Sequence, residues 1–290
     1  MKIMITGDWH ITLECPVRRM DNYWEALTGK LLWIAETFQE EKCSAIVQPG
    51  DFFDSFRAND YLKSFVIDLF RDIKILTVFG QHDLKYHNVN VANTPLSLLG
   101  TVGTVKILNH KPHVLGNTAF FGASWNEPIP KNGEPPNVLV MHRMVIDTEK
   151  LWPGQTGFLW AEELNHIKFD LVITGDNHQS FRRDKVINCG SLMRSRIDQK
   201  DHRPCVWICD LDTMKTKQLF IPIKPASEVF DTEAASQEKE INEKLDLFVR
   251  NLRQTGNRLD LDFRKNLYQA IKDNEIDQEI VDIIHEAMEE

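Results

Sequence analysis

Five short clusters hold nearly all the residues of this chain that could bind a metal ion together: Asp8-x-His10, Gly50-Asp51-x-x-Asp54, Gly80-Gln81-His82-Asp83, His142, and Gly175-Asp176-x-His178. Carboxylates, an amide oxygen and imidazoles are the ligand set of Mn, Fe or Zn at mixed oxygen and nitrogen sites, not of Ca or a thiolate-bound metal. A dinuclear centre also needs one carboxylate able to bridge, and an aspartate in a tight Gly-Asp turn at a strand end meets that need. Such paired ions suit hydrolysis, because they polarise a bound oxygen and lower the pKa of a water. One Asp-x-His alone reads as a helix cap or a surface pair, and one His alone as a hydrogen-bonded core residue. Five clusters in this order point to a dinuclear metal site.

The elements that must position these residues are short β-rich runs, each ending just before a polar cluster: KIMIT before Gly7, SAIVQ before Pro49, KILTVF before Gly80, NVLVM before His142 and LVIT before Gly175. Amphipathic helical stretches over roughly Asn22 to Glu40 and Asp60 to Arg71 separate the first three, giving a β-α-β-α-β opening. Parallel strands with crossover helices follow, and in such sheets ligands collect beyond the carboxyl ends of the strands. Strand-like runs at TVKIL and TAFFGA, and again at KVINC, PCVWICD and KQLFIP, predict a second sheet packed on the first. The segment PIPKNGEPPN, residues 128 to 137, reads as an exposed loop. After Pro225 the strands stop, and helical spacing places Ile241, Leu245, Phe248 and Leu252 on one face, with further faces around Leu267 and Ile280.

The bulk composition sets limits. At 290 residues with 42% apolar content the chain can bury a large core. Nothing in MKIMITGDWH reads as a signal peptide and no run reaches the roughly 18 apolar residues of a membrane span, so a cytoplasmic protein is expected. The five cysteines include no CxxC pair and read as packing residues of a reducing compartment. Residues 226–290 hold 17 acidic against 8 basic residues, which accounts for the whole formal charge of −9. The preceding part is balanced, so binding to nucleic acid would need a local basic groove or a partner that supplies phosphate contacts.

The order of clusters resembles the signature of calcineurin-like metallophosphoesterases, DxH, GDxxD, GN-H-D, H and GHxH, over residues 1–225. The resemblance implies a four-layer α/β/β/α sandwich, here followed by an acidic helical appendage over residues 226–290. The phrases GDWHI, QPGDFFD and GQHDLKYHN are most similar to SbcD-type DNA-repair nucleases, those of T-even bacteriophages above all. Carried over position by position, one divalent ion would be held by Asp8, His10, Asp51 and His178, the other by Asp51, Gln81, His142 and Asp176, with Asp51 bridging. Mn2+ is the expected metal, with Mg2+, Fe2+ or Zn2+ as alternatives. Two positions depart from the pattern: Gln81 stands for the family's asparagine and Asp176 for the first histidine of GHxH. Both keep an oxygen donor, but the longer amide and the added charge predict altered binding of the second ion.

The same resemblance assigns His82 the role of general acid toward the leaving 3′-oxygen, with Asp83 orienting its imidazole; the alternative is that His82 only hydrogen-bonds within its loop. Asp54 is expected to orient Asp51 or cap the next helix. Arg18 and Arg19 are candidates for gripping DNA phosphate and Trp9, Tyr86 and Phe56 for stacking, with solvated charge as the bland alternative. The implied partners are DNA, an SbcC-like coiled-coil ATPase docked on the C-terminal helices, and a second copy of the chain; a self-packed helical bundle is the competing reading of those helices. The leading function is thus a two-metal DNA nuclease, exonuclease or single-strand endonuclease, of an SbcCD-like complex. Its rivals are a stand-alone phosphodiesterase or phosphatase on a small phosphoester, and a DNA-end-binding scaffold whose site has decayed at Gln81 and Asp176.

Overall fold

The computed structural model describes residues 1–87, 93–131, 135–152 and 154–231. The first sheet is built on β1 (Lys2–Ile5), β2 (Ala45–Gln48) and β3 (Ile75–Thr77), which run parallel and in sequence order. Almost every residue in them is buried, as befits strands covered on both faces. Alternation decides which way each side chain goes. Met4, Ile46 and Ile75 meet the helices, while Ile3, Ile5, Ala45, Val47 and Leu76 meet the second sheet.

Each crossover helix has a local reason to start where it does. Asn22 caps α1 (Tyr23–Glu40) by accepting from the Glu25 N–H, and Asn59 caps α2 (Asp60–Leu69) by accepting from Leu62. The inward face of α1 is Tyr23, Leu27, Leu31, Ile34 and Phe38, the helical spacing read from the sequence. A third helix, α3 (Pro95–Thr101), was not foreseen; Thr94 and Ser97 form a capping box around Pro95 at its first turn. It delivers the chain to β4 (Val105–Ile107), which pairs parallel to β3.

The second sheet contains β5 (His113–Leu115), β6 (Thr118–Ala123), β7 (Asn137–His142), β10 (Leu171–Gly175), β11 (Phe181–Arg183) and β12 (Val186–Asn188), in the order β11-β12-β10-β7-β6-β5. Its centre is parallel and its two edges are antiparallel. The strands β13 (Cys205–Asp210) and β14 (Lys215–Phe220) return to the first sheet beside β1, completing the order β14-β13-β1-β2-β3-β4. Phe120, Val138, Val140, Ile173 and Ile187 fill the space between the sheets.

The predicted α/β sandwich with two packed sheets is therefore present, with one difference of detail. Among the described residues the outer face of the second sheet is covered by the small ribbon β8 (Val145–Ile146) with β9 (Leu159–Trp160) and by a 3-10 segment, Ala161–His166. Val145, Ala161, Leu164 and Phe169 pack there on Leu139, Met141 and Val172. All five cysteines are free, and Cys205 and Cys209 face the inter-sheet core as packing residues.

The first compact unit runs from Met1 to Phe230, five residues past the boundary expected at 225. The short helix α4 (Ala226–Val229) explains the difference: Val229 and Phe230 are buried, and the Met20 N–H donates to the Val229 carbonyl. The second unit is Asp231–Glu290. The helical faces expected around Phe248, Leu267 and Ile280 lie outside the described residues. No described helix is long and apolar enough to cross a membrane.

Candidate metal centre

Every cluster singled out in the sequence follows a strand whose carboxyl end reaches the same edge of the sandwich. Asp8 follows β1, Asp51 follows β2 and Gln81 follows β3; His142 ends β7 and Asp176 follows β10. The two sheets are tied at this edge by a bridge between Asp8 and Ser191, and the Trp9 and His10 N–H groups both donate to the Asp51 carbonyl. Three of the side chains expected to bind metal sit on left-handed backbone: His10 (φ 46°), Asp51 (φ 49°) and Asp176 (φ 79°). Such conformations cost free energy in non-glycine residues and persist where the surroundings over-determine them.

The turns are pinned by residues the sequence reading passed over. Gln48, fully buried at the end of β2, donates to the Gly7 and Gly50 carbonyls and accepts from the Gly50 N–H and the Thr77 hydroxyl. One amide thus uses all of its hydrogen-bonding capacity to hold the turns carrying Asp8 and Asp51 against β3. The signal for it was weak: a single amide among the apolar residues SAIVQ. Close approach also requires glycine here, since a Cβ on Gly80 would stand 2.0 Å from Asp51 Oδ1 and one on Gly175 would stand 2.5 Å from Asp8 Oδ1.

The seven expected ligands converge. Asp8, His10 and His178 form one group, Asp8, Asp51 and His142 a second, and His10, Asp51 and His82 a third, with the offered atoms of each group within 4.8 Å of one another. His142 Nε2 lies 3.4 Å from Asp51 Oδ2, and His10 Nε2 lies 3.3 Å from His178 Nε2. Gln81 joins them, its Oε1 2.8 Å from His142 Nε2 and its Nε2 donating to Asp176 Oδ1 at 2.9 Å. The two positions that depart from the family pattern therefore touch each other: the longer amide of Gln81 spans to the carboxylate of Asp176.

Electrostatics explain why a cation fits. Burial raises the Asp8 carboxyl to about 7, against the pull of His142. Burial also works against ionised Asp51, but His142 and His10 beside it hold its carboxyl well below the usual range. For His142 burial disfavours the imidazolium, yet Asp51 and Asp8 raise it to about 10; for His10, Asp54 and Asp51 likewise outweigh burial and raise it to about 9. Burial and the nearby His10 push His178 down to about 3. Protons on His10 and His142 thus balance the carboxylates, and these are the protons a divalent ion displaces on binding. Asp8 Oδ1 and Asp51 Oδ2 are buried without a hydrogen bond, a costly state unless a cation satisfies them. The residues present fit the implied metal pair.

Several roles differ from expectation. Asp83 does not orient His82. Its buried carboxylate accepts from the backbone N–H groups of Phe52, Phe53 and Gly80, which clamps the Asp51 and Gln81 loops together. His82 Nδ1 instead lies 2.7 Å from the Asp54 carbonyl oxygen, with the ring exposed at the rim. Asp54 places Oδ1 3.2 Å from His10 Nδ1 and so orients His10; α2 is capped by Asn59. Arg19 is buried, paired with Asp21 and donating to the Arg194 carbonyl, so it braces its loop and does not project toward a phosphate. Trp9 is wholly buried against Phe52 and Phe70 and offers no stacking face. Arg18 remains partly exposed in the same loop.

The family model described as calcineurin-like phosphoesterase matches residues 1–180. Among solved structures, an archaeal phosphodiesterase shares 15% identity over 76% of this chain and all of that one, with a TM-score of 0.43. The protein TT1561 of Thermus thermophilus shares 12% over 76% of this chain and 99% of that one, at 0.45, and a metallophosphoesterase from Sphaerobacter thermophilus shares 13% over 77% and 90%, at 0.37. No curated protein matches.

Proposed function

This chain belongs to the calcineurin-like phosphoesterase family, and from that premise we propose that it hydrolyses phosphodiesters of DNA with two divalent ions, as the nuclease subunit of an SbcCD-like repair complex. One ion would be held by Asp8, His10, Asp51 and His178, the other by Asp51, Gln81, His142 and Asp176. Bound there, the ions would supply Lewis acidity toward a phosphoryl group and acidify a water. The donor set, richer in oxygen than the family pattern because of Asp176, favours Mn2+ or Mg2+.

The observation that carries the diester reading is His82. Its ring stands exposed at the rim, T-shaped against His10 at 4.8 Å between centroids. With Nδ1–H donating to the Asp54 carbonyl at 2.7 Å, the Nε2 of His82 is the nitrogen left to hand a proton to a departing alcohol oxygen. A deoxyribose 3′-oxygen is a poor leaving group without that proton. His82, Asp176 and His178 are all partly open to solvent, so a polymer end has access from the side. An SbcC-like coiled-coil ATPase, docking on the C-terminal region outside the described residues, and a second copy of the chain are the proposed partners.

The test is manganese-dependent degradation of linear and single-stranded DNA by the purified chain, with bis-p-nitrophenyl phosphate hydrolysis alongside. His82→Ala should lower DNA cleavage by about 10²–10⁴-fold while leaving metal uptake intact. Diester hydrolysis without DNA cleavage would favour a small phosphoester as substrate. Hydrolysis of neither, with fewer than two ions per chain, would favour a DNA-end-binding scaffold.

A further inference from the structure

The loop after Asp51 and the loop after Gln81 meet again beyond the metal ligands. Phe56 and Tyr86 bring their ring centroids to 5.4 Å with the planes tilted by 58°. Arg57 lies over the Phe56 ring at 5.2 Å and Lys85 over the Tyr86 ring at 5.7 Å. The result is a short ridge of two aromatic faces with a cation on each. It is continuous with His82, because the carbonyl that holds His82 belongs to Asp54, two residues before Phe56.

Two features set this ridge apart from ordinary loop packing. Tyr86 is 71% exposed, so most of its ring is not buried by the contact with Phe56. It also sits on left-handed backbone (φ 53°, ψ 36°), unusual for an aromatic residue, which turns the side chain outward. An outward aromatic ring flanked by exposed Arg57 and Lys85 has the composition that receives a base on its π-face and phosphates on its cations. Its four residues offer rings and cations, which stack on any base and neutralise any phosphate, so the recognition they offer is tolerant of sequence.

We propose that Phe56 and Tyr86, with Arg57 and Lys85, form a platform that stacks an unpaired nucleobase beside the metal centre and so directs the protein toward single-stranded nucleic acid. This rests on the phosphodiester reading above and narrows it to a substrate whose bases are free to leave the duplex. Tyr86 is the principal stacking face and Phe56 supports it.

Two oligodeoxynucleotides of equal length and charge test it, one with natural bases and one with abasic tetrahydrofuran residues throughout, each followed by fluorescence anisotropy and by Mn2+-dependent cleavage. The natural oligonucleotide should bind about ten-fold more tightly than the abasic one. Tyr86→Ala should remove most of that advantage without changing affinity for the abasic strand, and Tyr86→Phe should retain it. Equal binding of both strands by the unaltered protein, or a Tyr86→Ala effect of the same size on both, would overturn the platform. Base-dependent binding with no cleavage of either strand would leave the platform standing and remove the nuclease reading, so the two failures are distinct.

Discussion

His142 and His178 both come from the second sheet and both face Asp8 and Asp51, yet the structure prepares them differently. His142 is buried, and its Nδ1 donates to the Pro49 carbonyl at 2.7 Å, which leaves Nε2 as the nitrogen aimed at Asp51 and the centre, its proton the one a divalent ion displaces. His178 has a side chain 40% exposed, and its Nδ1 faces the Gln199 side-chain nitrogen at 3.1 Å. The Gln199 oxygen is already engaged by the N–H groups of Ser195 and Arg196, so the nitrogen must be the donor. A neutral His178 that accepts at Nδ1 carries its proton on Nε2, the atom directed at His10. The His142 corner is therefore preset in ring orientation and tautomer, since loss of its Nε2 proton leaves a neutral ligand with Nδ1–H still held by Pro49, whereas neutral His178 must shift its one proton or release Gln199 before Nε2 can serve. A metal centre is tuned as much by what holds its imidazoles as by which imidazoles are present.

Three substitutions break or sharpen this contrast. Asp51 belongs to both corners, so Asp51→Asn should remove charge from both ion sites at once. Calorimetric Mn2+ titration should then show both sites lost, and kcat/KM should fall by more than the 10–100-fold typical of an outer-shell partner. One site surviving at full affinity would show that Asp51 does not bridge. Gln48→Leu should act on both corners, less severely, because Gln48 holds the turns that carry Asp8 and Asp51. It frees the Gly7 and Gly50 turns, lowering affinity for both ions by about 10–100-fold and costing about 3 kcal/mol of stability through the unsatisfied Gly50 N–H and the Gly7 and Gly50 carbonyls. Chemical denaturation read beside the titration checks both, and an unchanged unfolding midpoint would contradict the role given to Gln48.

Gln199→Glu should have the smallest effect and the opposite sign. A glutamate still accepts from Ser195 and Arg196, but it also accepts a proton held at His178 Nδ1, which frees Nε2. Affinity at the His178 corner should rise by several-fold, up to about ten-fold, as a carboxylate behind the imidazole increases its basicity. A loss of affinity would mean that the glutamine is already the better partner.

Much of this centre was legible in the sequence for a simple reason. A strand that must be buried reads as an apolar run, and a ligand at its carboxyl end reads as a polar cluster directly after it, so KIMITGDWH and SAIVQPGD announce both element and site. The pattern also began the two crossover helices at Asn22 and Asp60, but the cap of the second, Asn59, came only from the structure. α3 and the β8–β9 ribbon were missed because α3 has only seven residues and each ribbon strand only two, too short for a periodic pattern to stand out. Asp83 was given to the wrong partner because its position beside His82 in the chain says nothing of where its carboxylate points. Arg18 and Arg19 read alike as exposed charge, but Asp21 and the Arg194 carbonyl draw Arg19 inside.

The sequence by itself determined the α/β elements and the five polar clusters at their ends, with the hydrolytic chemistry such clusters suit, because periodicity and residue type are local properties; the resemblance to calcineurin-like metallophosphoesterases singled out seven ligands among them. Only the tertiary structure decided that Gln48 staples two ligand turns to a third strand, that Gln81 and Asp176 meet, that Asp54 rather than Asp83 serves the histidines, and that His142 is preset while His178 is not. Each of these is a hydrogen bond between residues far apart in the chain or a choice among neighbours equally near in it. Burial and backbone direction, not proximity in sequence, settle such choices.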